Sequence, residues 1–237
     1  MGPSGCGKST LLNIIGGIAI PTSGHVFVDS QDISHFNSEQ LDLYRFQQIG
    51  IVFQFFNLIP ELTVFENIAL TLEIDGKLTR EKSQQITELI NKVHLEDRVN
   101  HYPNELSGGE QQRVAIVSAL IHNPAIILCD EPTGELDSQS KHEIIHLLAQ
   151  IVQEDPNKTL IVVTHDDSFQ LYADRLFYIR DGAISHIITP EKKDLNQKQI
   201  VEKLWNDQQE KQKDQSVIEL RETIYYLQKR LDKIIDA

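Results

Sequence analysis

A chain of 237 residues with 40% hydrophobic content can bury one substantial core, and its length suits one domain or one domain with appendages. A formal net charge of -13 repels phosphodiester backbones and argues against a nucleic-acid partner, and two cysteines are too few for a disulfide framework. No apolar run approaches the roughly 18 residues of a membrane span and no basic leader opens the chain, so the expectation is a cytoplasmic protein that reaches a membrane only through a partner.

In chain order, the Gly-rich stretch Gly2 to Gly7 runs into Lys8-Ser9-Thr10-Leu11-Leu12, a loop that opens a helix, and Gly16-Gly17 with Pro21 ends it. His25 to Val28 and Ile49 to Phe53 read as strands. From about Phe55 to Leu106 the β signals vanish. Thr63-Val64-Phe65-Glu66 is a capping box, and Thr79 precedes a helical run to Val93, so this stretch predicts a helical insertion. Helix returns after Gly109 until Asn123-Pro124 breaks it. Ile126 to Asp130 is a continuous apolar run ending in a carboxylate, as in a buried parallel strand, and Leu160 to Thr164 repeats the pattern. Arg175 to Arg180 and Ala183 to Ile187 flank Asp181-Gly182, a hairpin signal. After Pro190 the composition turns polar, while Val217, Leu220, Ile224, Leu227, Leu231 and Ile234 recur at steps of three and four. That tail, 190–237, predicts a separate helix, for which two placements are open: a short coiled coil between subunits or an amphipathic helix docked on the core.

Three motifs carry chemistry. Gly2-Pro3-Ser4-Gly5-Cys6-Gly7-Lys8-Ser9 fits the P-loop in full. Its glycines let successive backbone N–H groups converge on phosphate oxygens at a helix N-terminus, with Lys8 reaching the β and γ phosphates, Ser9 ligating Mg²⁺ and Thr10 beside it. Asp130-Glu131 then supplies one carboxylate for the metal and its waters and a second to polarise the attacking water. Leu106-Ser107-Gly108-Gly109-Glu110-Gln111-Gln112-Arg113 offers the Ser107, Gly108 and Gly109 groups at another helix N-terminus, a second phosphate-binding surface. Cys6 and Cys129 each lie beside one of these motifs, which suits a reducing compartment.

With the last of these motifs the sequence from about Gly2 to Ile187 resembles the ABC ATPases. The resemblance implies an α/β fold: a P-loop NTPase (RecA-like) core with a mainly parallel sheet, an inserted α-helical subdomain over about 55–106, and a signature helix over 107–122. The whole forms an ATPase domain over 1–189. It also implies roles for further residues in order along the chain: Gln54 as the Q-loop residue and a metal ligand, Asp137 as the D-loop residue, and His165 as the switch histidine touching the γ-phosphate. In the family the signature surface faces the ATP of the other subunit, so hydrolysis requires a dimer, a homodimer being the expectation. The segments Val52 to Pro60 and Leu62 to Asn67 resemble the lipoprotein-release and macrolide-export branch, whose ATPases work with integral membrane permeases. Two other readings stand beside export: an ABC ATPase that regulates a membrane protein without transport, and an inactive nucleotide-binding module.

Two features depart from the family pattern. Met1 immediately precedes the P-loop, so the strand that anchors that loop in the family, and the aromatic that stacks on adenine, are absent from this sequence; the expectation is a fragment or a start at an internal methionine, with a neighbouring strand unpaired on one side. Val117-Ser118 stands where relatives usually carry Ala-Arg, and Glu135 where this branch often has Asn. His142-Glu143-Ile144-Ile145-His146 also matches the H-E-x-x-H pattern of zinc proteases. No third ligand is evident, and Ile144, Leu147, Leu148 and Ile151 give the same helix an ordinary buried stripe, so the match reads as accidental.

Overall fold

A computed structural model describes residues 1–189 apart from 75 and 77, of which Met1–Ile188 forms one compact unit. The helix expected over 190–237 lies outside the described residues.

The P-loop leads into α1 (Lys8–Ile15), which Gly16 ends at the predicted place. Next come a small antiparallel hairpin, β1 (Phe27–Val28) and β2 (Gln31–Asp32), and a 3-10 turn over Ile33–His35. The strand expected from His25 is thus only two residues long. α2 (Ser38–Gln48) was not foreseen. It has few apolar positions and buries only Leu41 and Tyr44, but Asn37 and Gln40 close a capping box at its start. β3 (Ile49–Val52) follows, then the helical insertion with α3 (Val64–Ile74) and α4 (Arg80–Lys92). The Thr63 backbone N–H donates to Glu66 at 2.8 Å and the Glu66 N–H returns to Thr63 Oγ1 at 3.3 Å, the capping box read from the sequence. Thr79 caps α4 as expected.

α5 (Gly108–Leu120), β4 (Ile126–Asp130), α6 (Ser138–Glu154) and β5 (Thr159–Val163) complete the αβ alternation, and the hairpin β6 (Leu176–Arg180) and β7 (Ala183–Ile188) closes it. Asp181 and Gly182 both have positive φ, as a tight two-residue turn requires.

β3, β4 and β5 form a parallel sheet with β4 in the centre; Ile49 pairs with Ile126, and Asp130 with Val163. Helices cover both faces, the general solution for a parallel sheet. Leu12 of α1 and Tyr44 of α2 join Ile49, Leu128 and Val163 on one face. Ile116 of α5 and Ile144 and Leu148 of α6 join Val52, Ile127 and Cys129 on the other. A second core fills the insertion, where Ile68 and Leu72 of α3 and Ile86 and Ile90 of α4 meet Val114 and Val117 of α5 and Ile121 just beyond its end. Signature helix α5 therefore serves two cores with two faces. Val117 is fully buried in one of them, and the Ser118 hydroxyl donates to the Val114 carbonyl at 3.0 Å.

Among the described residues β5 pairs on one side only, with β4. The chain entering the P-loop lies instead along β6: the Met1 amino group donates to Phe177 O at 2.6 Å and the Ile179 N–H donates to Met1 O at 2.8 Å. Burial there, reinforced by the neighbouring Lys8 charge, lowers the pKa of the Met1 amino group.

Candidate active site

In a parallel sheet every carboxyl end lies on the same edge, so whatever follows β3, β4 and β5 is gathered there. Gln54 follows β3, Asp130 ends β4 with Glu131 next, and His165 comes two residues after β5. The P-loop faces this edge because α1 packs over β4 and β5.

Loop geometry depends on two glycines. Gly7, the residue before α1, has φ 98°, a left-handed conformation that a side chain resists. A Cβ on Gly2 would collide with the Ile179 carbonyl, since the loop enters hard against β6. Cys6 is buried, and its carbonyl accepts the Gly182 N–H at 3.1 Å, tying the loop to the β6–β7 turn. Ser4, Gly5, Ser9 and Thr10 are exposed on the outer rim. Lys8 is buried and folds back over its own loop, donating to the Gly2 carbonyl at 2.8 Å and the Pro3 carbonyl at 2.9 Å.

Ser9 Oγ donates to Asp130 Oδ1 at 3.1 Å, so the hydroxyl at the start of α1 and the carboxylate ending β4 meet at this edge. Glu131 has φ 48°, a left-handed conformation costing on the order of 1 kcal/mol for a non-glycine residue. The turn is held by Glu131 N–H donating to Val163 O at 2.8 Å and Gly134 N–H donating to Glu131 O at 3.0 Å. His165 Nδ1 lies 3.0 Å from Glu131 Oε2, and that oxygen also accepts the His165 backbone N–H at 3.3 Å. The imidazole is largely exposed whereas Glu131 is only 16% exposed.

Gln54 is on the same edge but engaged elsewhere: its Nε2 donates to Glu135 Oε1 at 2.9 Å. Asp137 caps α6, accepting the N–H groups of Gln139 and Ser140 at 2.9 and 3.0 Å and the Ser140 hydroxyl at 2.6 Å. Those bonds, the Ser140 hydroxyl first, hold its carboxyl below the usual carboxylate range. The Asp-x-x-Ser spacing was a readable cap signal beside the functional one.

Ser107 caps α5 in a capping box with Glu110, and Glu110 also pairs with Arg98 at 3.0 Å. Gly109 is buried against α6; a Cβ there would stand 2.8 Å from Ser140 Oγ and 3.0 Å from Ser140 Cβ. Glycine at this position is therefore required by packing within the chain. Sequence reasoning also missed Asn67, a buried amide that donates to the carbonyls of Ile59, Leu62 and Thr63 and accepts the Ile59 N–H at 2.7 Å. It shapes the loop following Gln54.

Two side chains of the H-E-x-x-H match have partners within the chain. Glu143 pairs with Arg113, joining α6 to α5, and His142 Nδ1 donates to Ser138 O at 2.6 Å. No cluster of metal-ligating groups among the described residues includes either histidine of the motif.

The ABC transporter family model matches residues 1–134. The chain belongs to the ABC transporter family. Among relatives, the ABC transporter ATP-binding protein YtrE of Bacillus subtilis is 44% identical over 191 residues, 81% of this chain and 82% of that protein. The lipoprotein-releasing system ATP-binding protein LolD of Bacteroides fragilis is 42% identical over 184 residues, 78% and 85% of the two chains. A dimeric structure of the Methanocaldococcus jannaschii cassette MJ0796 in a post-hydrolysis state with ADP and Pi superposes with a TM-score of 0.73. The match has 43% identity and covers 81% of this chain and 84% of that one. The chain is thus an ATP-binding ABC ATPase subunit of a transporter, with the α/β P-loop NTPase fold. No helix among the described residues of this ABC ATPase is long and apolar enough to cross a membrane.

Proposed function

We propose that this ABC ATPase hydrolyses Mg-ATP at two composite sites of a head-to-tail homodimer, driving an integral membrane permease for export or lipoprotein release. The observation that carries the reading is the meeting of Ser9 with Asp130, and of Glu131 with His165, on one edge of the sheet.

The donor set at Ser9 and Asp130, a hydroxyl and a carboxylate, suits a hard divalent cation, and Gln54 is the third ligand in this reading. Mg²⁺ supplies charge neutralisation on the β and γ phosphates when bound. Lys8 exchanges the carbonyls of Gly2 and Pro3 for phosphate oxygens, while the backbone of Gly2 to Gly7 cradles the chain of phosphates. Glu131 accepts a proton from the attacking water, and His165 fixes the carboxylate and reaches the γ-phosphate. Asp137 holds the start of α6, and Ser107, Gly108 and Gly109 present their helix N-terminus to the nucleotide of the partner subunit. Catalysis by this set is positioning and charge stabilisation.

Dimer formation is supported by the dimeric MJ0796 cassettes, and the lipoprotein-release branch by the likeness to the lipoprotein-releasing system ATP-binding protein LolD. A groove of about 420 Å³ bounded by Phe55, Phe56, Leu58, Pro103 and Gln111, immediately after Gln54, is the surface we assign to the permease, with the subunit working at the cytoplasmic face of the membrane in this reading. Light scattering on Glu131→Gln with and without Mg-ATP tests the reading. An ATP-dependent doubling of mass supports it; a mass unchanged by ATP in a variant that still binds nucleotide overturns the dimer.

A further inference from the structure

We propose that His25, Asp32 and His35 form a binding site for a zinc-class transition-metal ion on the β1–β2 hairpin, separate from the nucleotide edge. Nothing in the ATPase reading uses these three residues.

One ligand atom from each residue lies within 4.8 Å of the other two. Asp32 Oδ2 is 2.7 Å from His25 Nδ1 and 3.8 Å from His35 Nε2. Ligands around a tetrahedral zinc ion, at metal distances of about 2.0–2.2 Å, stand about 3.4 Å apart, so the two spacings bracket the required value. The imidazole side chains are 57% and 75% exposed, and metal binding would replace the His25–Asp32 hydrogen bond and turn two rings that meet edge-on, with His25 also stacked on Phe27.

The backbone brings the three residues together by two local rules. Asp32 precedes the 3-10 turn Ile33–His35 as its cap, and residues three apart in a 3-10 turn eclipse one another, which sets His35 over Asp32. Hairpin pairing of Phe27 with Asp32 returns the chain so that His25 lies beside that carboxylate. The frame is fixed from beneath: Asp32 Oδ1 accepts the Ser34 N–H at 3.0 Å, leaving Oδ2 turned to the rings. Ser34 Oγ accepts the Val26 N–H at 2.7 Å, and the Ile33 N–H donates to Val26 O at 2.9 Å. Ile33 is buried in the core that contains Leu12 of the P-loop helix, so an ion at this site would stiffen the turn packed beside α1.

Two imidazoles and one carboxylate favour Zn²⁺, Co²⁺, Ni²⁺ or Cu²⁺ over Mg²⁺ or Ca²⁺, and three protein ligands leave a fourth position for water or an outside donor. All nine histidines precede residue 190, so the rival imidazole sites are few and can be removed one at a time. The test is titration of the full, nucleotide-free chain with Co²⁺, read by visible absorption, followed by displacement with Zn²⁺. The expected result is one intensely absorbing Co²⁺ per chain, weakened at least about tenfold by His35→Gln and by Asp32→Asn and retained in His165→Gln and His142→Gln. Far-UV circular dichroism checks that the variants fold. Zn²⁺ should also shift the ring resonances of two histidines in the wild-type protein, which needs no variant. Absence of binding, equal binding by wild type and both hairpin variants, or loss only in His165→Gln would each overturn the proposal.

Discussion

One carboxylate oxygen of Glu131 is held twice by His165, through Nδ1 at 3.0 Å and through the backbone N–H at 3.3 Å. Both residues follow neighbouring parallel strands, and Asp130 is paired with Val163 in the sheet register, so the contact is set by strand alignment. The imidazole adds orientation to a carboxylate whose backbone is already constrained in a left-handed turn.

From this follows the first expectation. Glu131→Gln keeps the shape and loses the base, so phosphate release should fall by about 10² to 10⁴ while ATP affinity is retained. His165→Ala leaves the base in place but loosely aimed, and a smaller loss in kcat is expected. Equal turnover in wild type and Glu131→Gln, measured in single-turnover phosphate release, would remove Glu131 from the mechanism.

The Gln54–Glu135 hydrogen bond holds a residue assigned to the metal against the D-loop. If Gln54 must leave Glu135 to meet Mg-ATP, breaking that bond costs binding energy, and a hydrogen bond of this kind is worth about 0.5–1.5 kcal/mol. Glu135→Ala should therefore tighten the apparent Mg-ATP affinity by about two- to tenfold, with little change in thermal stability. Unchanged affinity in a nucleotide titration would show that Gln54 is free to move already.

The difference between what the sequence shows and what it hides is physical. β4 was legible because Ile126 to Cys129 is apolar without interruption, and the P-loop because its glycines and Lys8 have a fixed order. α2 was not, since its apolar periodicity is thin and its capping box at Asn37 and Gln40 is a local signal easily passed over. The site contacts divide similarly. Asp130 and Glu131 stand at the end of an apolar strand and His165 follows from the resemblance to ABC ATPases, but the Gln54–Glu135 contact spans 81 residues and arises from how two loops lean together. The need for glycine at position 109 depends on Ser140, a residue of another helix, and no pattern around either reveals it.

Glu110 links the signature motif to pH. Burial pushes its carboxyl up, but the Ser107 backbone and hydroxyl and the Arg98 guanidinium outweigh this and hold it below its ordinary range. A carboxyl with a depressed folded-state pKa contributes stability above its unfolded pKa and loses it as pH falls through the folded value. Wild type should therefore exceed Glu110→Gln by about 0.5 kcal/mol at pH 7.5, and the gap should close as the pH falls below about 4. Urea unfolding of both proteins at several pH values measures it; a gap independent of pH would assign the effect to side-chain geometry alone.

Gly109 gives the sharpest packing test. It is buried in the first turn of α5, and a methyl group there would stand 3.0 Å from Ser140 Cβ, well inside contact distance. The start of α6 is pinned by three hydrogen bonds to Asp137, so the two helix ends cannot separate without disturbing that cap. Gly109→Ala should cost about 1–3 kcal/mol by overpacking and should impair ATP-driven dimerisation, because it displaces the surface assigned to the partner's nucleotide. Ser140→Gly removes the obstructing atoms, and the double variant should recover most of the dimerisation lost in Gly109→Ala, at the cost of about 1 kcal/mol for glycine in a helix. Stability from urea unfolding and mass from light scattering read the two effects separately. Failure of Ser140→Gly to restore dimerisation would mean that Gly109 serves phosphate contact directly, with no contribution from its fit against α6.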